Sequence, residues 1–385
     1  MKPFDPTQGK HKVIAIVGPT ASGKSALGVF LAQKLSGEII SADSRQVYRG
    51  LNIGTGKVTK KEMGGIPHHL LDVASPKKQF SASDFTKQAT KAIEKIITQE
   101  KVPLVVGGTG FYIDALLGRI TLPDVPPNPR LRAKLEKKSV EELFAMLQKK
   151  DPERAKTVEP KHKRRIIRAL EIAHWHSKNK PEGDLRSATA RARANFQQKI
   201  MRTPEGLLFA EPKPQYDILW LGISPEEKVL HKKIHVRLLA RMKLGMVAEA
   251  KRLHIRGLSY KRMKELGLEY RSLAEFLLGE KTKEEMLASL EGAIQDYAKR
   301  QMRWFKRNTD IVWVSNPKEA LTLAKAFIGG QHRPKIRMPA EHLVATFRKH
   351  RNEVARFKEL LDRQIPLAER VPRGRFLPRS LDAET

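Results

Sequence analysis

The chain has 385 residues, 40% of them hydrophobic, which suffices for one large domain with an insertion or two domains sharing a core and excludes a single small module. Its 74 Lys and Arg outnumber 42 Asp and Glu, and the formal charge of +32 calls for a polyanionic partner, nucleic acid ahead of an anionic membrane surface. The absence of cysteine excludes disulfides, thiolate metal sites and cysteine nucleophiles, leaving chemistry to a carboxylate, a hydroxyl or a bound ion.

In chain order, a short apolar run from Lys12 to Val17 enters a glycine-rich turn, and apolar residues then recur at helical spacing from Ser25 to Leu35. Strand, loop and helix in that order open an α/β fold. Glu38 to Ser41 reads as a second buried strand, Ala89 to Ile97 as a helix, and Val102 to Val106 as a third strand that runs into Gly107, Gly108 and Thr109. Pro123, Pro126, Pro127 and Pro129 interrupt this pattern, and residues from Leu131 to His176 read almost entirely as helix rich in Lys and Arg, a helical insertion. Ser177 to Pro214 is polar and reads as a mobile loop or partly helical excursion. Strand signals return at Tyr216 to Ile223 and at Asp310 to Val314, with long amphipathic helices between them. Beyond Gly330 the chain is basic, with one helix-like stretch from Glu341 to Leu361. The expected organisation is a first core segment over 1–120, an insertion and excursion over 121–214, a second core segment over 215–330 and a basic appendage over 331–385.

Gly18, Pro19, Thr20, Ala21, Ser22, Gly23, Lys24 and Ser25 satisfy G-x-x-x-x-G-K-[ST], between a strand and a helix as that motif requires. Backbone N–H groups of such a loop curl around phosphate oxygens, the helix N-terminus adds positive potential, Lys24 neutralises charge and the Ser25 hydroxyl can ligate Mg²⁺. The motif does not say which phosphate compound binds. A typical hydrolase of this class ends a core strand in an Mg²⁺-holding Asp, whereas here that strand runs into Gly107, Gly108 and Thr109, which weakens a hydrolase reading. The nearest strand-end carboxylate is Asp43, which the sheet should bring to the phosphate crevice. It could accept a proton, anchor Mg²⁺, or only cap the following turn.

Several separated segments resemble the tRNA dimethylallyltransferases, also called tRNA isopentenyltransferases. They are the Gly18 to Ser25 loop, Asp43-Ser44-Arg45-Gln46-Val47-Tyr48, Pro67 to Asp72 with Phe80 to Phe85, Gly107 to Tyr112, Arg164 to Ile172, and Tyr297 to Gln301 with Trp304 and Phe305. The resemblance implies a P-loop NTPase-like parallel sheet flanked by helices with an inserted helical tRNA-binding domain. It implies transfer of a dimethylallyl group from dimethylallyl diphosphate, with Mg²⁺, to N6 of adenine 37 beside the anticodon in tRNA. By the same resemblance Asp43 is the base, Thr109 lines the reaction channel, and Arg237 is a further pyrophosphate ligand. The bland alternatives are a helix cap for Thr109 and a solvated helix face for Arg237.

The anticodon arm is expected to meet Asp43, Ser44, Arg45, Gln46 and Thr109 at the channel, and Arg132, Arg164, Arg165 and Arg168 on the insertion. Lys299, Arg300 and Arg303 add a basic stripe interleaved with Tyr297, Trp304 and Phe305. His68 and His69, adjacent in a Pro-led loop, are assigned no catalytic role. The excursion is longer than is usual in the family, and the tail after Gly330 has no counterpart in the family pattern. No run approaches the roughly 20 apolar residues of a spanning helix and no signal-peptide pattern stands at the start, so a soluble, cytoplasmic monomer is expected. Prenylation of free adenine nucleotides, a P-loop kinase and a non-catalytic RNA-binding protein are the alternatives.

Overall fold

The computed structural model describes residues 10–179, 201–202, 208–209 and 215–330; the basic appendage with its expected helix, and most of the excursion, lie outside them. Six strands form one parallel sheet in the order β3-β2-β4-β1-β7-β8. They are β1 (His11–Val17), β2 (Gly37–Ala42), β3 (His68–His69), β4 (Val102–Gly107), β7 (Tyr216–Gly222) and β8 (Ile311–Trp313). A strand covered on both faces has no polar side to alternate with, which is why Val13-Ile14-Ala15-Ile16-Val17 is apolar throughout and fully buried. The pairing brings Val17, Ala42, Gly107 and Gly222 level with one another, so the loops after four strands open onto one edge. In an open parallel sheet that edge is the ligand crevice.

One face of the sheet is covered by α1 (Lys24–Lys34) and, at the far end of the chain, by α14 (Pro317–Ile328), with Leu27, Leu31, Ala320 and Phe327 packed on Ile14, Ile16 and Leu104. The other carries α3 (Ala82–Thr98) and α4 (Gly110–Leu116), through Phe85, Ile93, Ile113 and Leu116. The helix α3 starts well before the expected Ala89. Ser81 accepts from the backbone of Asp84 while the Asp84 carboxylate accepts from Ser81, a reciprocal cap that fixes the start where apolar periodicity is still weak. His68 and His69, expected in a loop, make the edge strand against Ile39 and Ile40. His69 and Lys101 both bond the buried Glu38 carboxylate, which is held below the usual carboxylate range because these partners outweigh the burial that alone would raise it.

Between β7 and β8 five helices build a second core. They are α9 (Glu227–Lys243), α10 (Met246–Ile255), α11 (Tyr260–Leu266), α12 (Leu268–Leu277) and α13 (Lys283–Phe305), and they enclose Met246, Met263, Leu273, Met286 and Leu290 together with Val47, Tyr48 and Leu51. Residues 201–202 and 208–209 pair as β5 and β6, an antiparallel rung where a loop or helix is expected.

The insertion is a small helical cluster of α5 (Pro129–Glu136), α6 (Val140–Lys150), α7 (Pro152–Ala155) and α8 (Lys163–Lys178), closed on Leu135, Leu143, Leu147, Ile166 and Leu170. One polar group organises it. The Glu171 side chain, 1% exposed, accepts two hydrogen bonds from Arg132, one from Arg168 and one from the Asn128 backbone, and Arg168 also donates to the Val125 carbonyl. Burial alone would raise the Glu171 pKa, but Arg132, Asn128 and Arg168 together hold it below the usual range. Its stabilisation is therefore present above the ordinary carboxylate range and fades as acid protonates it. Removing such a carboxylate strands two guanidinium groups. Glu171→Ala should cost about 2–4 kcal/mol and lower hydrogen-exchange protection along α8, whereas Arg164→Ala, on the open face, should change stability by less than about 0.5 kcal/mol.

Candidate active site

The phosphate loop leaves β1 at Gly18, where a side chain would meet the Ile223 carbonyl at 2.7 Å, so the loop is seated against the end of β7. It turns into α1 through Gly23 at φ 97°, a left-handed conformation that favours glycine, and no side chain caps the helix. Its first-turn amides and the exposed Ser25 hydroxyl thus face outward without a protein acidic partner, as an anion requires. The Lys24 amine folds back to donate to the Pro19 carbonyl at 3.0 Å. Burial lowers its pKa to about 8, with the charge of Asp43 opposing that shift and the charge of Arg237 adding to it.

Asp43 follows β2 directly. Its Oδ1 accepts from the backbone N–H groups of Arg45 at 2.8 Å and Gln46 at 3.2 Å, so the turn-capping alternative is realised, and no described residue donates to Oδ2. One oxygen orients the carboxylate and the other is available to a substrate.

Thr109 follows β4 and stands at the N-cap position of α4, but its side chain does not cap the helix. Its Oγ1 accepts from the Ser44 backbone N–H at 3.0 Å, next to Asp43, and the Tyr297 phenol lies beside it. The Tyr297 phenol is pushed up to about 12 by burial and by the Asp43 charge, against the opposing Arg45 and Thr109. It is a neutral donor at any physiological pH.

The turn that carries Thr109 is walled by contacts that leave no space for side chains. A Cβ would fall 2.1 Å from the Ala42 carbonyl oxygen at Gly107, 2.2 Å from Gln301 Nε2 at Gly108 and 2.1 Å from Trp304 at Gly110. Trp304 is held in turn by donating to Asp114 at 2.8 Å. The Asp114 carboxyl is raised to about 6 by burial, against Arg119, Trp304 and Arg307.

Arg237 projects from α9 toward this crevice and rests against Gly56, whose Cβ would be 3.4 Å from Nη2. Crowding by protein atoms and the neighbouring Arg241 draw its pKa down, with Glu62 and Glu269 opposing. The Gly56 loop is itself fixed. Glu249 accepts from the backbone of Asn52, Ile53 and Gly54 and from the Tyr270 hydroxyl, while Arg241 donates to the Gly54 carbonyl and Glu269.

Residues far apart in sequence therefore meet: Lys24, Asp43, Thr109 and Arg237 share one crevice. Ser44 contributes through its backbone, and Gln46 reaches the Gly56 carbonyl at 3.5 Å. The basic residues divide. Arg164 and Arg165 are exposed, each only 4.0 Å from one carboxylate, while Arg132 and Arg168 are committed to Glu171. Lys299 pairs with Glu227 at 3.2 Å, and Arg300 and Arg303 are exposed.

Gln301, Tyr297 and Glu249 are the participants that sequence reasoning leaves unassigned. A signal exists for Gln301: it occupies a buried position in the stripe Met286, Leu290, Ile294, Ala298, Phe305, where only an apolar residue would otherwise fit.

The family model described as IPP transferase matches residues 46–308. A tRNA dimethylallyltransferase of Geotalea uraniireducens is 38% identical over 320 residues, covering 82% of this chain and 96% of its own. Another, of Pelotomaculum thermopropionicum, is 35% identical over 308 residues, or 79% and 91%. Among solved structures, a full-length tRNA isopentenylpyrophosphate transferase from Bacillus halodurans has 33% identity and a TM-score of 0.57 over 83% of this chain and 96% of its own. A eukaryotic dimethylallyltransferase acting on tRNA reaches a TM-score of 0.69 at 25% identity, over 85% and 82%.

The depressed Lys24 amine makes anion binding pH-dependent. Free, it loses its proton above about pH 8; beside a diphosphate the charged form is favoured and its pKa rises. Binding of an alkyl diphosphate, itself fully ionised there, should take up close to one proton at pH 9 and none from Lys24 below pH 7. Calorimetry in buffers of different ionisation enthalpy reads this uptake, and it should vanish in Lys24→Met.

Proposed function

The chain belongs to the IPP transferase family, and from that premise we propose that it transfers a dimethylallyl group from dimethylallyl diphosphate to N6 of adenine 37, beside the anticodon of tRNA. The observation that carries this reading is the convergence of two half-sites on one sheet edge. An anion cradle of Lys24, Ser25 and Arg237 faces a carboxylate, Asp43, and a hydroxyl, Thr109, neither of which can itself bind a phosphate anion as a cation or backbone N–H does.

The adenine amine is a weak nucleophile because its lone pair is delocalised into the ring, so a positioned acceptor for its proton has a direct effect on rate. The N6 lone pair forms the new bond to C1 of the allyl group as the C1–O bond breaks and its electrons leave with pyrophosphate. Asp43 Oδ2 receives the N6 proton. Lys24, Arg237 and the α1 amides meet the charge that grows on the leaving group. Thr109 and Tyr297 offer hydroxyl partners to the adenine edge.

Among the described residues no cluster of three His, Asp or Glu could hold a metal by itself. One hydroxyl, Ser25, with a strand-end carboxylate, Asp43, is the sparse donor set that suits Mg²⁺, which takes most of its ligands from phosphate and water. When bound, Mg²⁺ supplies further charge neutralisation on the diphosphate. We assign the anticodon arm to the exposed Arg164, Arg165, Arg300 and Arg303, with Arg132 and Arg168 shaping the insertion that presents them. All of these groups come from one chain, so a monomer suffices, and no helix among the described residues is long and apolar enough to cross a membrane. With tRNA as substrate, we assign the reaction to the cytoplasm.

Purified protein incubated with dimethylallyl diphosphate, Mg²⁺ and either tRNA or AMP should yield prenylated adenosine from tRNA alone, detected by nucleoside mass analysis. Prenylated AMP would favour the free-nucleotide enzyme, and no prenylated product with either acceptor would sink the reading. Asp43→Asn keeps shape and hydrogen bonding, so its single-turnover rate should fall by about 10²- to 10⁴-fold with tRNA affinity changed only a few-fold. A loss of diphosphate affinity restored by raised Mg²⁺ would instead identify Asp43 as the metal anchor.

Affinity for tRNA should fall steeply with salt. Reversing Arg164 with Arg165, or Arg300 with Arg303, should shallow the slope by about 1 per lost phosphate contact while sparing diphosphate binding.

A further inference from the structure

The two half-sites lie on different loops, and one side chain joins them. Gln301 is 6% exposed; its Oε1 accepts from the Thr20 backbone N–H at 2.8 Å and its Nε2 donates to the Gly108 carbonyl at 2.9 Å. One end of the amide accepts and the other donates, a pairing that a primary amide or a neutral carboxylic acid of this length supplies. The amide lies close over Gly108, where a Cβ would fall on its Nε2. From Gly108 the chain passes at once to Thr109, whose hydroxyl accepts from Ser44 beside Asp43. From Thr20 it passes through the loop to Lys24.

We propose that Gln301 is a positioning residue for prenyl transfer, setting the separation between the phosphate loop and the Thr109 and Asp43 side of the crevice without touching either substrate. Bond formation between two bound partners is sensitive to sub-ångström placement, so a bridge between their sites acts on the transfer step and leaves binding largely intact. The inference rests on the transferase reading and adds to it a residue that neither substrate need contact.

Two substitutions test it, read by single-turnover rate, by equilibrium affinities for dimethylallyl diphosphate and tRNA, and by thermal unfolding. Gln301→Met fills the space without either bond and should lower the single-turnover rate by about 10- to 100-fold, with both affinities within a few-fold of wild type. Gln301→Glu accepts from Thr20 when ionised but cannot donate to Gly108; protonated, it restores both bonds. Its rate relative to wild type should therefore rise as pH falls, whereas the relative rate of Gln301→Met should stay flat. A rate for Gln301→Met within about three-fold of wild type, or a relative rate for Gln301→Glu that does not change with pH, overturns the proposal, as does a rate loss that follows only the unfolded fraction. A wild-type protein that makes no prenylated tRNA defeats the transferase reading itself, an outcome separate from these.

Discussion

The close approach of β2 and β4 at their carboxyl ends is the constraint on which the site depends. Ala42 and Gly107 are register partners, and the Ala42 carbonyl lies where any Cβ of residue 107 would be. This contact lets the Thr109 backbone N–H reach the Ala42 carbonyl and its hydroxyl accept from Ser44. A side chain at 107 would have to part the two strands, and parting them separates Asp43 from Thr109. The glycines after β4 are thus less a flexible hinge than the absence of an obstacle. A side chain at residue 107 has no room here, and the nearest strand-end carboxylate is one strand over, at Asp43.

The helix α13 then divides its labour by face. Tyr297, Gln301 and Trp304, spaced four and three residues apart, lie along one side and reach Thr109, Gly108 with Thr20, and Asp114 in succession. Lys299, Arg300 and Arg303 face out. A single 23-residue helix can therefore present charge to a polyanion and still hold the crevice wall rigid, because the periodicity keeps the two sets apart. Its reciprocal Thr282 and Glu285 cap fixes where that phase begins.

The parallel core was legible because strands buried on both faces leave unbroken apolar runs, and the phosphate loop because its spacing and its strand-to-helix context coincide. Asp43 could be placed from topology alone, since every strand end of a parallel sheet opens on the same side. Less was legible where a residue's partner is remote. Nothing local distinguishes Arg168 from Arg165; three positions apart on one helix, one faces Glu171 and the other solvent. The start of α3 was hidden because a cap, not periodicity, sets it. For Gln301 the buried stripe marks the position but not its partners: both are backbone atoms, and backbone atoms carry no sequence identity.

That Asp43 caps its own turn bears on its chemistry. A carboxylate bound through both oxygens by the protein would be a poor acceptor, while one bound by neither would sample many rotamers and lose the geometric advantage of a fixed base. Two backbone N–H groups on Oδ1 hold the group by one end only. Because those donors belong to Arg45 and Gln46, they move with the same turn that carries Asp43, and the carboxylate keeps its aim through any shift of that loop as a unit. Ser44, between them, is tied to Thr109. The turn that Asp43 caps is therefore also the turn that registers it against β4, so its structural role and the proton-accepting role proposed for it rest on one set of hydrogen bonds and are not alternatives.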